Sequence, residues 1–331
     1  MRPSAATPKG ALPAARQSRF HGSPERKAHS ARESTLFAMK LTHNRAVALM
    51  VAVAFMWSTA GVVTRHLDGA RSFEVTFWRA AFTALSLLVI LPVLRGARVF
   101  ADIRHAGTAF WVSGLCWSVM FTAYMVALTL TSVANVLVTM SLGPLMTALI
   151  ARVFIGHRIP VRTWVAILVA GAGIAYMYGT QLAGGQLVGT LVALCVPLAG
   201  ATNWTVTQNA HAQGHDVDLV PAVFVGAVIS CLVTLPLAYP FQATAHDLQL
   251  LAYLGVFQLA IPCVLSVLCA RILKAPELSL LALLEVVFGI VLAWLGAGEA
   301  PGPTVLVGGT LVIGALVVNE LLGWKHRSAQ A

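Results

Sequence analysis

A glutamate and an arginine stand inside stretches of chain otherwise made of oil-soluble residues. Glu285 lies in Leu284-Glu285-Val286-Val287-Phe288, and Arg79 lies in Phe77-Trp78-Arg79-Ala80-Ala81. A charge near the middle of a bilayer costs roughly 2.5–3.5 kcal/mol on insertion scales, so a group retained there needs a role. Glu285 would bind a cationic or amine-bearing substrate, or take up and release a proton. The competing reading is structural: a pair with Arg79 or with backbone that locks its segment in place. For Arg79 the structural role is the preferred one. Glu285 falls about nine residues into its segment and Arg79 about six into its own, at depths differing by only ~8 Å at 1.5 Å per residue, which a guanidinium could bridge.

Uncharged polar side chains form a second set. Trp57, Ser58 and Thr59 share one apolar segment, Asn135, Thr139 and Ser141 another, Asn203 and Trp204 a third, and Gln258 and Ser266 a fourth. Each could line a substrate path, or act as glue between helices worth on average ~0.6 kcal/mol. Asn135 and Thr139 are four apart and share a helix face. Trp57 and Trp204 could frame a cavity from opposite halves of the chain. Pro144 and Pro262 interrupt helical hydrogen bonding and are candidate hinges, with a static kink the preferred reading.

Other chemistries find little support. His211, His215, Asp216 and Asp218 suggest a metal cluster but fall together in a short polar loop, where solvation is the preferred reading. The five cysteines lie in apolar segments without a Cys-x-x-Cys pair and read as buried small hydrophobes, with no redox or metal role. No cofactor or metal is expected. There is no Walker-type phosphate loop, and the segment interiors lack the His and Asp that an intramembrane enzyme needs. A carrier is therefore preferred over an enzyme, channel or non-transporting scaffold.

The elements that must position these groups are ten apolar stretches, near residues 46–66, 73–94, 107–129, 132–154, 161–179, 187–208, 219–239, 248–270, 277–297 and 303–323. Each is close to the ~20 residues that cross a bilayer as a helix. Of 331 residues, 58% are hydrophobic and 10% charged, against roughly 25% charged in soluble domains. The expectation is an all-α membrane protein of ten transmembrane helices.

Charge gives orientation. With the N-terminus inside, cytoplasmic flanks hold twelve Lys or Arg from Met39 onward, and the outer flanks only Arg65 and Arg71. The positive-inside rule then puts both termini in the cytoplasm. Residues 1–45 carry nine Lys or Arg and two Glu, so +7 of the net charge of +10 sits in a Ser/Pro/Arg-rich tail and does not describe a nucleic-acid surface. The tail, residues 1–44, is expected to be disordered. It reads as a targeting peptide, as a basic arm on anionic lipid, or as an extension upstream of a natural start at Met39; the last is preferred.

The halves echo each other. Gly156 and Gly298 close the fourth and ninth stretches at an offset of 142, and Trp57 matches Trp204 as Pro92 matches Pro236. Five spans per half is an odd number, so the second half would enter from the opposite side, making two inverted five-helix repeats. Their expected bounds are 45–180 and 181–323, with a cytoplasmic tail at 324–331.

On these residues the chain resembles the EamA-type permeases of the drug/metabolite transporter superfamily. The most specific part is Ala275-Pro276-Glu277-Leu278-Ser279-Leu280-Leu281-Ala282-Leu283-Leu284-Glu285, continuing through Phe288-Gly289 and Ala293-Trp294-Leu295 to Gly298-Glu299. Trp57-Ser58-Thr59, Phe77-Trp78-Arg79, Leu142-Gly143-Pro144 and Phe154-Ile155-Gly156 also match. His157 replaces a glutamate common in the family, and Val286 a proline, which puts those two positions in doubt. The resemblance implies a bacterial inner-membrane carrier of small metabolites or drugs, often an exporter, with its cavity between the repeats. Its partners would be a small-molecule substrate and membrane lipid. Gly171, Gly173, Gly308, Gly309 and Gly314 would permit close packing within a monomer, the preferred reading, or at a homodimer face.

Overall fold

The computed structural model describes residues 42–70, 72–96, 99–104, 106–156, 159–181, 187–212, 219–270, 272–273, 278 and 281–328. The basic tail through Leu41 and the polar loop holding His215, Asp216 and Asp218 lie outside them, as does the side chain of His211. The described residues form helices and no strands.

The helices are α1 (His43–Thr64), α2 (Ser72–Arg95), the short α3 (Val99–Ile103), α4 (Thr108–Leu130), α5 (Val133–Met140), α6 (Gly143–Ile155), α7 (Val161–Gln181), α8 (Leu187–Ala212), α9 (Leu219–Ala238), α10 (Ala245–Tyr253), a π-helical stretch Leu254–Ala260, α11 (Ile261–Ala270), α12 (Leu284–Ala297) and α13 (Pro303–Ser328). Among the described residues, eight helical spans are long and apolar enough to cross a bilayer, and Val161–Met177 and Leu284–Ala297 are shorter apolar helices. Large apolar side chains cover the outside: Val93 is 80% exposed, Leu168 70% and Leu295 75%. A water-facing surface does not carry apolar area on this scale, and lipid is the solvent it matches.

Two of the apolar stretches are broken. The fourth divides into α5 and α6 at Ser141 and Leu142, and Pro144 sits in the first turn of α6, where its missing N–H costs nothing. Pro144 thus starts a half-helix instead of kinking a continuous one. The ninth breaks at Leu283, just before α12. Both half-helices end on a left-handed glycine, Gly156 at φ 73° and Gly298 at φ 66°, a geometry that strains any residue with a Cβ. The eighth stretch changes pitch: α10 widens into the π stretch and resumes as α11. Pro262 cannot donate to the carbonyl of Gln258, and its ring crowds that oxygen; the wider turn before it relieves the clash.

Close packing rests on particular glycines. A Cβ on Gly255, in the π stretch, would stand 2.5 Å from Phe82 Cβ and 2.9 Å from the Arg79 carbonyl oxygen, so π stretch and α2 are nearly in backbone contact. Gly173 meets Gly308 across α7 and α13, and Gly309 meets Val138, so these glycines pack within one chain; nothing stands within 4 Å of a Cβ on Gly171 or Gly314. One expectation about packing fails: Cys195 is exposed on α8 and is not a core residue.

Gly255→Val should drive α2 and the π stretch apart and cost about 1–3 kcal/mol, as overpacking does. Thermal unfolding in detergent checks this, with Gly171→Ala expected to leave the midpoint unchanged or slightly raised.

Candidate functional site

Arg79 and Gln258 meet in the interior. Arg79 is 3% exposed, and its Nε and Nη2 donate to Oε1 of Gln258 at 3.2 and 2.9 Å. Gln258 Nε2 donates onward to the carbonyl of Trp57 at 3.0 Å. The guanidinium lies over the rings of Phe121 and Tyr124, 5.9 and 5.6 Å from their centroids, so its faces are covered by π electrons while its edge is hydrogen-bonded. Thr83 Oγ1 donates to the carbonyls of Arg79 and Gly255 at 2.8 and 3.1 Å, sealing α2 onto the π stretch. The π turn is what aims Gln258 here: its extra residue rotates the side chain relative to a regular helix.

Glu285 stands beside this network without joining it. It occupies the first turn of α12, where the helix N-terminus favours an anion. It lies on the face of α12 that carries Gly289 and Gly296, which pack on Ser58, Leu137 and Val62; the lipid-facing residues Val287, Val291 and Trp294 are on the opposite side. It interacts electrostatically with Arg79, Tyr124 and Cys263. Among the described residues it makes no hydrogen bond or ion pair. The expected alternative of a Glu285–Arg79 lock is therefore not what forms, because Gln258 takes the guanidinium. The Tyr124 hydroxyl is also buried with no partner among the described residues. Trp57 completes the cluster through its carbonyl, which accepts from Gln258.

The remaining predicted residues lie elsewhere. Ser58 is buried and donates to the Phe55 carbonyl of its own helix at 2.7 Å. Asn135 is buried at the start of α5, with Nδ2 donating to Thr131 Oγ1 at 3.0 Å. Thr139 and Asn203 are buried as well. Trp204 is 45% exposed and does not pair with Trp57 across an interior space.

Sequence reasoning missed the polar network at one end of the bundle. Arg65, just past α1, donates from Nε to Glu299 Oε2 at 2.6 Å and from Nη1 and Nη2 to the carbonyls of Leu128 and Thr131. The other oxygen of Glu299 accepts from the backbone N–H of Val133 at 2.7 Å. Glu74, wholly buried in the first turn of α2, accepts from the N–H groups of Gln242 and Ala243. Asp247, equally buried in the first turn of α10, accepts from Asp68, Gly69, Ala70 and Thr244, and closes a capping box with Thr244. Ligand atoms of Asp68, His246 and Asp247 approach within 4.8 Å. Asp247 has its oxygens engaged by those N–H donors, so the arrangement is that of a hydrogen-bonded cap. The available signal was an acidic residue in each first turn, which marks a helix start but not its distant partner.

A multi-helix membrane body with buried polar residues and broken helices fits a transporter. The model of the EamA-like transporter family matches twice, at residues 44–179 and 187–320. The chain belongs to the EamA-like transporter family and is a multi-pass membrane transporter. It is similar to the pseudopaline exporter CntI of Pseudomonas aeruginosa strain UCBPP-PA14, 23% identical over 278 residues that cover 82% of this chain and 94% of that protein. CntI of strain PAO1 matches to the same extent. A solved crystal structure superposes with a TM-score of 0.57 at 20% identity, covering 85% of this chain and 99% of its own, which shows the shared fold.

Gln258→Leu would remove the acceptor of two N–H groups of the buried Arg79 guanidinium. The expected cost is about 1–3 kcal/mol or more, since charged groups suffer most. Gln258→Glu gives up the donor to the Trp57 carbonyl but keeps an acceptor for Arg79 and adds an opposite charge, so it should lose less; unfolding midpoints of the two variants check the order.

Proposed function

We propose that the chain is a secondary carrier that exports a small metabolite or drug-like molecule across the bacterial cytoplasmic membrane by alternating access. The observation that carries this reading is the ionisable Glu285, on an interior face at a helix break, within electrostatic range of Arg79 and Tyr124 and bonded to neither. A carrier needs such a group to be available, because substrate or proton must be able to take it and leave it. Export is the direction suggested by the CntI relatives.

Ten spans in two inverted repeats, near 45–180 and 181–323, complete the proposal. Among the described residues, eight long apolar helices and two shorter ones are compatible with that number. The packing pattern supports the repeat. If each apolar stretch is exchanged for the one five places away, the third–sixth contact becomes first–eighth, the third–seventh becomes second–eighth, and the first–ninth becomes fourth–sixth; all are contacts of this fold. The second–seventh, fifth–tenth and fourth–ninth pairs map onto themselves and are contacts too. The breaks before α6 and α12, and the left-handed glycines after them, are images under the same exchange. Broken helices crossing at a repeat interface are where related architectures bind cargo. Pro144 and Pro262 are then the proposed hinges. The charge bias favours both termini in the cytoplasm, which puts the Arg65–Glu299 end outside.

Asn135, Thr139 and Asn203 are proposed as flanking polar contacts; Ser58, bonded within its own helix, and Trp204, on the surface, have weaker claims to touch substrate. A toxicity and metabolite screen of cells overexpressing or lacking the protein identifies the cargo. In proteoliposomes the wild type should then show counterflow of that compound. Glu285→Gln, inserted at the wild-type level, should lose about tenfold or more of it, the factor that corresponds to ~1.4 kcal/mol. Counterflow retained with unaltered pH dependence overturns the assignment of Glu285.

A further inference from the structure

The contacts that tie the two family-matched regions together differ at the two ends of the bundle. At the end of Arg65 they are carboxylate contacts. Glu74 of the first region holds the N–H groups of Gln242 and Ala243 in the second, at 2.8–3.0 Å. Asp247 of the second holds those of Asp68, Gly69 and Ala70 in the first, at 2.7–3.2 Å. The arrangement is reciprocal: each acid sits in the first turn of its helix and grips the loop that leads into the other acid's helix. The loops themselves touch, since a Cβ on Gly69 would lie 2.7 Å from the Gln242 carbonyl oxygen. Glu299 of the second region binds Arg65 and Val133 of the first, and His246 meets Asp68 at 3.1 Å. Among the described residues, every carboxylate contact between the two regions lies at this end. At the opposite end the hydrogen bonds between them join neutral groups, Thr163 donating to Asn319 at 2.8 Å and the Cys269 thiol approaching the Ala46 carbonyl at 3.6 Å, and a charge packed there, the Arg162 guanidinium against Gly323 of α13, is a cation without a carboxylate among the described residues.

Permanent joints in lipid are made by packing, as at Gly255 and Gly308. Carboxylates gripping loop backbone are different. They are strong while dry, and water replaces them readily once it enters, because both carboxylate and N–H are then solvated. We propose that Glu74, Asp247 and the Arg65–Glu299 pair form a charge-dependent gate that closes this end and parts as a unit when the transporter opens there. The gate rests on the alternating-access reading above and goes beyond it by naming the contacts that must break.

Hydrogen exchange of the full chain in nanodiscs, compared between wild type and the Glu74→Gln/Asp247→Asn double variant, tests the gate without knowledge of the cargo. In the wild type, amides 68–70 and 242–243 should be protected. In the variant both loops should exchange about tenfold faster or more, and by the same factor, because they open together. Alternating access further requires the opposite end to close, so peptides covering residues 42–48 and 159–163 should exchange more slowly. Faster exchange at the two loops with no change at the opposite end means a static staple and overturns the gate; so does no change at the loops. If the double variant loses protection throughout, Glu299→Gln, which retains an acceptor for Val133, carries the same comparison, and absence of the opposed pattern there also overturns it. Loss of the Glu285 assignment in the counterflow assay would leave this exchange pattern standing, so the two failures are distinguishable.

Discussion

In hydrocarbon a polar group has no solvent to fall back on, so each buried one must be answered by the protein. The region around Gln258 shows how far that constraint reaches. Arg79 can sit in the interior because one amide oxygen accepts two of its N–H groups and two aromatic rings cover its faces. Gln258 can serve because its own amide nitrogen finds the Trp57 carbonyl. It reaches both because the π stretch rotates it into place, and that stretch can approach α2 because residue 255 has no side chain. Remove any link and the charge at its centre is stranded.

The same constraint separates two kinds of carboxylate. Glu74, Asp247 and Glu299 are saturated by backbone donors and a guanidinium at one end of the bundle. Their geometry is that of groups whose charge is spent on structure. Glu285 has neighbours within electrostatic range but no bonded partner among the described residues. Its fixed compensation is the start of α12, whose N-terminal dipole lowers the cost of an anion, and the nearby Arg79 charge, neither of which occupies its lone pairs. A broken helix therefore does something a continuous one cannot: it steadies a charge while leaving it available to a visitor.

Much of the helical layout was legible in the sequence, because hydrocarbon thickness imposes a length that apolar runs display directly. The start of α7 and the ends of α4 and α9 fall within a residue of the expected positions. Orientation about each helix axis was not legible. Helices apolar on all sides give no period to distinguish the face toward lipid from the face toward protein, which is why Trp204, expected in the interior, is nearly half exposed. Glu285, Arg79 and Gln258 stood out as polar residues in apolar runs, yet their pairing did not, since Glu285–Arg79 and Arg79–Gln258 are equally consistent with the sequence. Tyr124 escaped notice because tyrosine is ordinary in membrane helices; its signal was position, deep in α4 and away from the interface belt where such rings usually sit. The end network was invisible for a different reason. Its acceptors are side chains, but most of its donors are backbone N–H groups some 170 residues away, and backbone leaves no mark in a sequence.

Reciprocity at that end also bears on how such a chain could move. Packed apolar joints between α7 and α13, or between α2 and the π stretch, lose contact with any shear and regain nothing from lipid, which is no better a partner than the side chain it replaces. Carboxylate-to-backbone joints lose their partners too, but at the membrane surface water stands ready to substitute. Parting is therefore least unfavourable where the joints are polar and lie next to solvent. The distribution of contact types, apolar through the interior and anionic at one end, makes that end the natural line of separation.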